Sequence, residues 1–234
     1  MVRALARIVL AGLFGFESSG EERVPRRGGV VLAANHASYL DPAIVACGLR
    51  RREVAFMARS TLFVGWFGKL IAALKSVPVE RDASDRRALR AIVAALRDGQ
   101  AVLIFPEGTR TADGAIGRCK AGAALAARLA GVPVVPVAID GSFEAWPRQK
   151  GVFRIFRPVR VRYGRPVRYA SPGLEAVGSD RPGGRAEVEA DLRMRLVDLL
   201  AELRGGPGAC ASEESGASGP GGGTDAAGVE VKTA

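Results

Sequence analysis

Histidine is nearly missing from this chain: among 234 residues there is one, His36. A lone imidazole without a cysteine cluster excludes a convincing transition-metal site. The three cysteines, Cys47, Cys119 and Cys210, are odd in number and show neither CxxC nor CxxxC spacing. That excludes a disulfide framework and a zinc site, and it indicates a reducing compartment. Aromatic residues make up only 6% of the chain, and no helix-turn-helix, zinc-finger or RNP-type aromatic pattern is present, which argues against nucleic acid as the partner. There is no GxSxG elbow, so no covalent serine intermediate is indicated, and Ser38 reads as a turn-stabilising hydroxyl. The N-terminal apolar run, Ile8 to Phe16, falls short of the roughly 20 residues a bilayer crossing takes.

What the chain has is positive charge and apolar residues. Nearly half of the residues are apolar, enough for one sizeable core, and the length forces no second domain. The formal net charge is +10; from Gly205 onward Glu213, Glu214, Asp225 and Glu230 face only Lys232, so that segment holds −3 and the remainder +13. Such a charge favours encounter with phosphates, whether on nucleic acid, an anionic bilayer or a small ligand. The first 16 residues, MVRALARIVLAGLFGF, place Arg3 and Arg7 on one helical face with apolar residues elsewhere. They resemble a short signal peptide without a cleavage site, and read as an amphipathic helix that lies on a membrane or packs on the domain.

Four apolar runs have the length of buried strands: VVLAA (30 to 34), VAFMA (54 to 58), AVLIF (101 to 105) and VPVVPVAI (132 to 139). Between them, SDRRALRAIVAALRDGQ aligns Leu89, Ile92, Val93 and Leu96 on one stripe, with Ser84 as N-cap and Gly99 as stop. KAGAALAARLAGVP predicts a second crossover helix ended by Gly131. FRIFRPVRVRYGRPVRY predicts an exposed strand pair hinged near Gly164, and EVEADLRMRLVDLLAEL a terminal helix with Val188, Leu192, Leu196, Leu199 and Leu203 inward. The expectation is an α/β fold: one domain from 17 to 204, a mixed and largely parallel sheet flanked by helices, with a disordered tail from 205 to 234.

The strand-like runs end in polar residues, VVLAA in Asn35 and His36, VAFMA in Arg59, AVLIF in PEGTR. Ligands of open α/β sheets gather beyond the carboxyl ends of the strands. In NHASYLD, His36 and Asp41 are five apart, a divergence of roughly 140° on a continuous helix. Pro42 breaks that continuity and makes Asp41 the predicted N-cap of PAIVACGL. His36 then sits on a loop that can fold back, so that the carboxylate takes one ring nitrogen and leaves the other to accept a proton. Alternatively Asp41 only caps its helix and His36 is incidental. FPEGTR (105 to 110) follows a strand, and its Gly108 permits close backbone approach while Arg110 offers a fork for two phosphate oxygens.

With these residues the sequence resembles the PlsC-type glycerolipid acyltransferases, the family of 1-acyl-sn-glycerol-3-phosphate (lysophosphatidic acid) acyltransferases. Four blocks match in order: NHASYLD, SVPVER, FPEGTR and VPVVPVAI, supported by VAFMARSTLF and CKAGAALAA, over roughly Phe16 to Tyr169. The resemblance implies His36 as general base, Asp41 as its orienting partner and Asn35 as support for the turn. It implies that Arg59, Arg81 and Arg110 hold the acceptor's phosphate, with Lys120 as a weaker candidate, while Glu107, Gly108 and Thr109 shape the pocket.

The implied reaction moves a fatty acyl group from acyl-CoA or acyl carrier protein to the 2-hydroxyl of lysophosphatidic acid, with no cofactor and no metal. The implied partners are an anionic membrane surface, a lysophospholipid acceptor and the acyl donor, and the implied location is the cytoplasmic face of the cell membrane, peripheral or monotopic. STLFVGWFGKLIAAL (60 to 74), with Phe63, Trp66 and Phe67, reads as an acyl-tunnel wall, a lipid-dipping segment or core. A different lysophospholipid or amino-acid lysolipid acceptor, or a non-enzymatic basic binding module, are the alternative readings.

Overall fold

The computed structural model describes residues 2–59, 76–79, 85–147, 154–169 and 184–205. Arg81, the 60-to-74 stretch, the Ser84 cap and the tail beyond Gly205 lie outside them, as does the side chain of Arg59. The elements run α1 (Val2–Phe14), β1 (Glu17–Ser19), a 3₁₀ turn (Glu21–Arg23), β2 (Val30–Ala34), α2 (Asp41–Gly48), β3 (Val54–Arg59) and β4 (Ser76–Val79). They continue with α3 (Asp85–Arg97), β5 (Ala101–Ile104), α4 (Gly122–Ala130), β6 (Val134–Asp140), α5 (Ser142–Ala145), β7 (Arg160–Tyr163) and α6 (Arg185–Arg204).

The seven strands among the described residues are ordered β1-β7-β6-β2-β5-β3-β4. Five run parallel, from β6 through β4; β7 pairs antiparallel with β6, and β1 is parallel to β7. The expected α/β sheet is therefore present, and its continuous apolar runs follow from burial on both faces. In β2, Val30, Leu32 and Ala34 join α1 and α2 in one core, while Val31 and Ala33 face α3, α4 and α6 in the other. This is the period of two expected of a strand with a helix layer on each side.

The crossover helices form where the apolar stripes place them. Val93 and Leu96 are buried on α3, and Leu192 and Leu196 on α6 are fully enclosed; each such leucine contributes about 1.5–3 kcal/mol. Gly131 ends α4 in the left-handed region, φ 70°, a conformation that glycine adopts without steric penalty.

Three local expectations are corrected. The basic segment does not fold into a strand pair around Gly164: β7 lies between β6 and β1, and Val167 meets Val134 in an isolated bridge. The reason is that Tyr163 is buried, its hydroxyl donating to Val45 O at 2.7 Å, which draws β7 into the main sheet. Arg7 does not present its charge on an outer polar face, because it donates to Cys47 O at 2.9 Å and covers the Phe16 ring. Asp41 is not an N-cap: the cap is Leu40, in helical geometry, and α2 begins at Asp41 itself.

Candidate active site

The parallel strands end together on one edge. In register, Ala33 lies beside Ile104 and Pro136, so the residues following β2 and β5 emerge as neighbours. Asn35 fixes this edge by exchanging two hydrogen bonds with the Ile139 backbone: Nδ2 donates to the carbonyl at 2.9 Å, and Oδ1 accepts from the amide at 2.8 Å. The side chain thus extends the β2–β6 ladder by one pair, and the next residue, His36, is projected beyond the sheet.

The turn after His36 is organised by Asp41, which is fully buried. Its Oδ2 accepts the amides of Ala37 and Ser38, both at 2.7 Å, and lies 2.9 Å from His36 Nδ1. The carboxylate therefore reaches back over the turn rather than forward into α2. Asp41 Oδ2 already accepts two backbone amides, so a neutral His36 ring that donates to it does so through Nδ1 and leaves the lone pair on Nε2. Ser38 is buried and its Oγ accepts the Leu40 amide at 3.1 Å, the turn-stabilising role expected of it.

FPEGTR grips the same histidine. The His36 amide donates to Glu107 Oε1 at 2.8 Å, and the His36 carbonyl accepts the Thr111 amide at 2.8 Å. Phe105 stacks on the imidazole, with centroids 3.8 Å apart and planes 15° apart. Glu107 also accepts the Gly117 amide on Oε2 at 2.9 Å, so one carboxylate joins the histidine to the next loop. This bracing by Glu107 has no local sequence signal, since the bond spans 71 positions.

Gly108 adopts φ 72°, a conformation strained for any other residue, and an added Cβ would sit 3.2 Å from Lys120 Nζ. The Arg110 guanidinium lies over the Tyr39 ring at 3.5 Å, which anchors it against the histidine turn. Thr109, Arg110 and Lys120 line a pocket of about 780 Å³ together with Glu107, Arg118, Arg185 and Glu189. His36 is not part of that lining; it stands behind Glu107, which borders both.

Glu189 is shared by Arg185 and Arg118, whose hydrogen bonds hold its carboxyl below the ordinary range despite some burial. Arg110, seated on Tyr39, and Lys120, beside Gly108, bring two further cations to the same pocket. Burial pushes the Cys119 thiol up to about 11, with the Glu107 charge adding to the shift. That thiol stays protonated at neutral pH and does not compete as a nucleophile. Of the expected residues, Asn35, His36, Asp41, Glu107, Gly108, Thr109, Arg110 and Lys120 gather at this edge. Arg59 closes β3 on the same side, and Arg81 is beyond the described residues.

A family model for Acyltransferase matches residues 15–140, which hold the histidine turn, FPEGTR and β2 through β6. The chain belongs to the Acyltransferase family. Among relatives, the 1-acyl-sn-glycerol-3-phosphate acyltransferase of Pseudomonas aeruginosa is 31% identical over 199 residues, covering 83% of this chain and 72% of its own. The protein of that name from Bacillus subtilis is 28% identical over 136 residues, 58% of this chain and 67% of its own. The fold of this acyltransferase resembles the crystal structure of the 1-acyl-sn-glycerophosphate (LPA) acyltransferase PlsC from Thermotoga maritima. The TM-score is 0.65 and the identity 24%, covering 87% of this chain and 78% of that one.

Proposed function

We propose that this acyltransferase moves a fatty acyl group from a thioester, acyl-CoA or acyl carrier protein, to the 2-hydroxyl of 1-acyl-sn-glycerol-3-phosphate, giving phosphatidic acid. The observation that carries the proposal is the 2.9 Å contact between His36 Nδ1 and the buried Asp41. With Nδ1 protonated and held, Nε2 takes the hydroxyl proton as the oxygen attacks the thioester carbonyl. The new C–O bond forms, the C–S bond breaks, and the proton passes from the imidazolium to the departing thiolate. Asp41 stabilises the imidazolium between those two transfers.

Arg110 and Lys120 hold the acceptor's phosphate, assisted by Arg59 and Arg81, while Asn35 secures the turn. Glu107, Gly108 and Thr109 shape the space between histidine and phosphate. The two relatives named for this reaction support the acceptor. The chemistry as written requires neither metal nor cofactor. We place the enzyme on the cytoplasmic face of the cell membrane, held peripherally through α1 on an anionic surface. No helix among the described residues is long and apolar enough to cross a membrane.

An acceptor panel tests this reading. Purified protein supplied with either thioester donor should acylate 1-acyl-sn-glycerol-3-phosphate and release free thiol, while the same lysolipid with choline or glycerol on its phosphate should react at least ~10-fold more slowly, the cost of losing a charged hydrogen bond. Equal turnover on all three would remove the phosphate assignment, and no turnover on any would remove the reaction.

A further inference from the structure

The outer face of α1 is apolar without a partner among the described residues: Leu5, Ile8 and Val9 are exposed, Ile8 at 69%. A second exposed apolar pair, Ile155 and Phe156, comes from a segment some 140 positions away. The two are joined through the backbone. The Phe156 amide donates to Leu13 O at 2.7 Å, and the Val159 amide to Phe14 O at 3.0 Å. Leu13 itself packs on the core, and its carbonyl ties the loop to the C-terminal end of the helix that bears the exposed Leu5, Ile8 and Val9.

Phe156 holds φ 61°, unusual for a bulky residue, and 73% of its surface is open. Arg154 and Arg157, both exposed, flank the pair, and residues 145 to 174 contain eight arginines or lysines and no acid. The loop also belongs to the rim that bears the histidine. Arg160 pairs antiparallel with Asp140 at the carboxyl end of β6, Arg154 donates its amide to Ala145 O, and Pro147 bridges to Ser38.

We infer that Ile155 and Phe156 are a second membrane contact that acts with the outer face of α1, docking the chain on an anionic bilayer with the His36 rim toward the lipid. This rests on the membrane part of the proposed function and not on acyl transfer. Apolar residues framed by arginines match an interface in which rings enter the acyl boundary and guanidiniums meet headgroup phosphates. Self-association through this face would set the arginines of one copy against those of the other, which disfavours a second copy as the occupant.

Co-sedimentation of the full chain with vesicles, pure phosphatidylcholine against an equal mixture with phosphatidylglycerol, tests it. The wild type should favour the anionic vesicles. Ile155→Ser with Phe156→Ser should lower the partition coefficient roughly 10-fold or more, as expected for withdrawing an aromatic and an aliphatic side chain from an apolar phase. Arg154→Gln with Arg157→Gln should lower it about fivefold per arginine on anionic vesicles only, a loss that added salt reproduces in the wild type.

Turnover of water-soluble short-chain substrates and the melting temperature should stay at wild-type values in both variants. Wild-type partitioning by both variants would overturn the inference while leaving α1 as an anchor. A wild-type dimer that the serine variant dissolves would overturn it in favour of self-association. A wild type indifferent to both vesicles would end the membrane reading and leave acyl transfer untouched.

Discussion

His36→Ala lowers kcat for transfer from thioester to hydroxyl by about 10²- to 10⁴-fold, the range that a positioned general base contributes, and leaves the melting temperature close to wild type. The side chain is only partly buried, and its backbone bonds to Glu107 and Thr111 survive truncation. Asp41→Asn follows with a smaller loss of kcat at unchanged KM, because the imidazolium is no longer paired with a charge. The asparagine amide would also meet the Ala37 and Ser38 amides donor to donor unless it flips. Steady-state kinetics on both variants, with matched thermal melts, check this. A His36→Ala variant that turns over at the wild-type rate would exclude the imidazole from the reaction.

Arg110→Ala raises KM for the lysophosphatidic acid acceptor by roughly 10- to 100-fold, the equivalent of losing one charge-assisted hydrogen-bond pair. KM for the thioester should not move. Arg110→Lys restores only part of the loss, because an ammonium can neither form a fork on two phosphate oxygens nor lie flat on the Tyr39 ring as the guanidinium does. The acceptor and donor constants, measured separately, decide the matter. An effect confined to the donor would place Arg110 in the thioester's site instead.

The sequence made the fold legible where one local rule governs. Strand-length apolar runs are what a sheet buried on both faces requires, and the helical stripes of α3 and α6 need only periodicity. The pairing of His36 with Asp41 could also be read, because five residues and a following proline define a short turn. The direction of the carboxylate could not. Proline sets the backbone before a helix, but whether the carboxylate meets helix amides ahead or turn amides behind depends on the path of residues 35 to 40, which starts from a strand end held to Ile139 by Asn35.

Other features depend on partners far along the chain. Glu107 braces the amides of His36 and Gly117, and Arg110 lies on Tyr39, contacts that exist only once β2 and β5 are neighbours. β1 is three residues long, too short to show alternation, and forms because β7 offers it an edge. The alternating basic run predicted strand character correctly for β7 and the wrong partner, because pairing is set by the burial of Tyr163 rather than by the glycine after it.

Because the chain has one histidine, its imidazole gives a single set of ring signals, and ¹⁵N-histidine NMR observes the proposed base directly. The ring is expected to carry a proton on Nδ1, in keeping with its bond to Asp41, and its Nε2 signal is expected to shift as 1-acyl-sn-glycerol-3-phosphate is titrated in and to shift far less in Arg110→Ala at the same concentration. A ring protonated on Nε2, or one whose signals ignore a saturating acceptor, would contradict it.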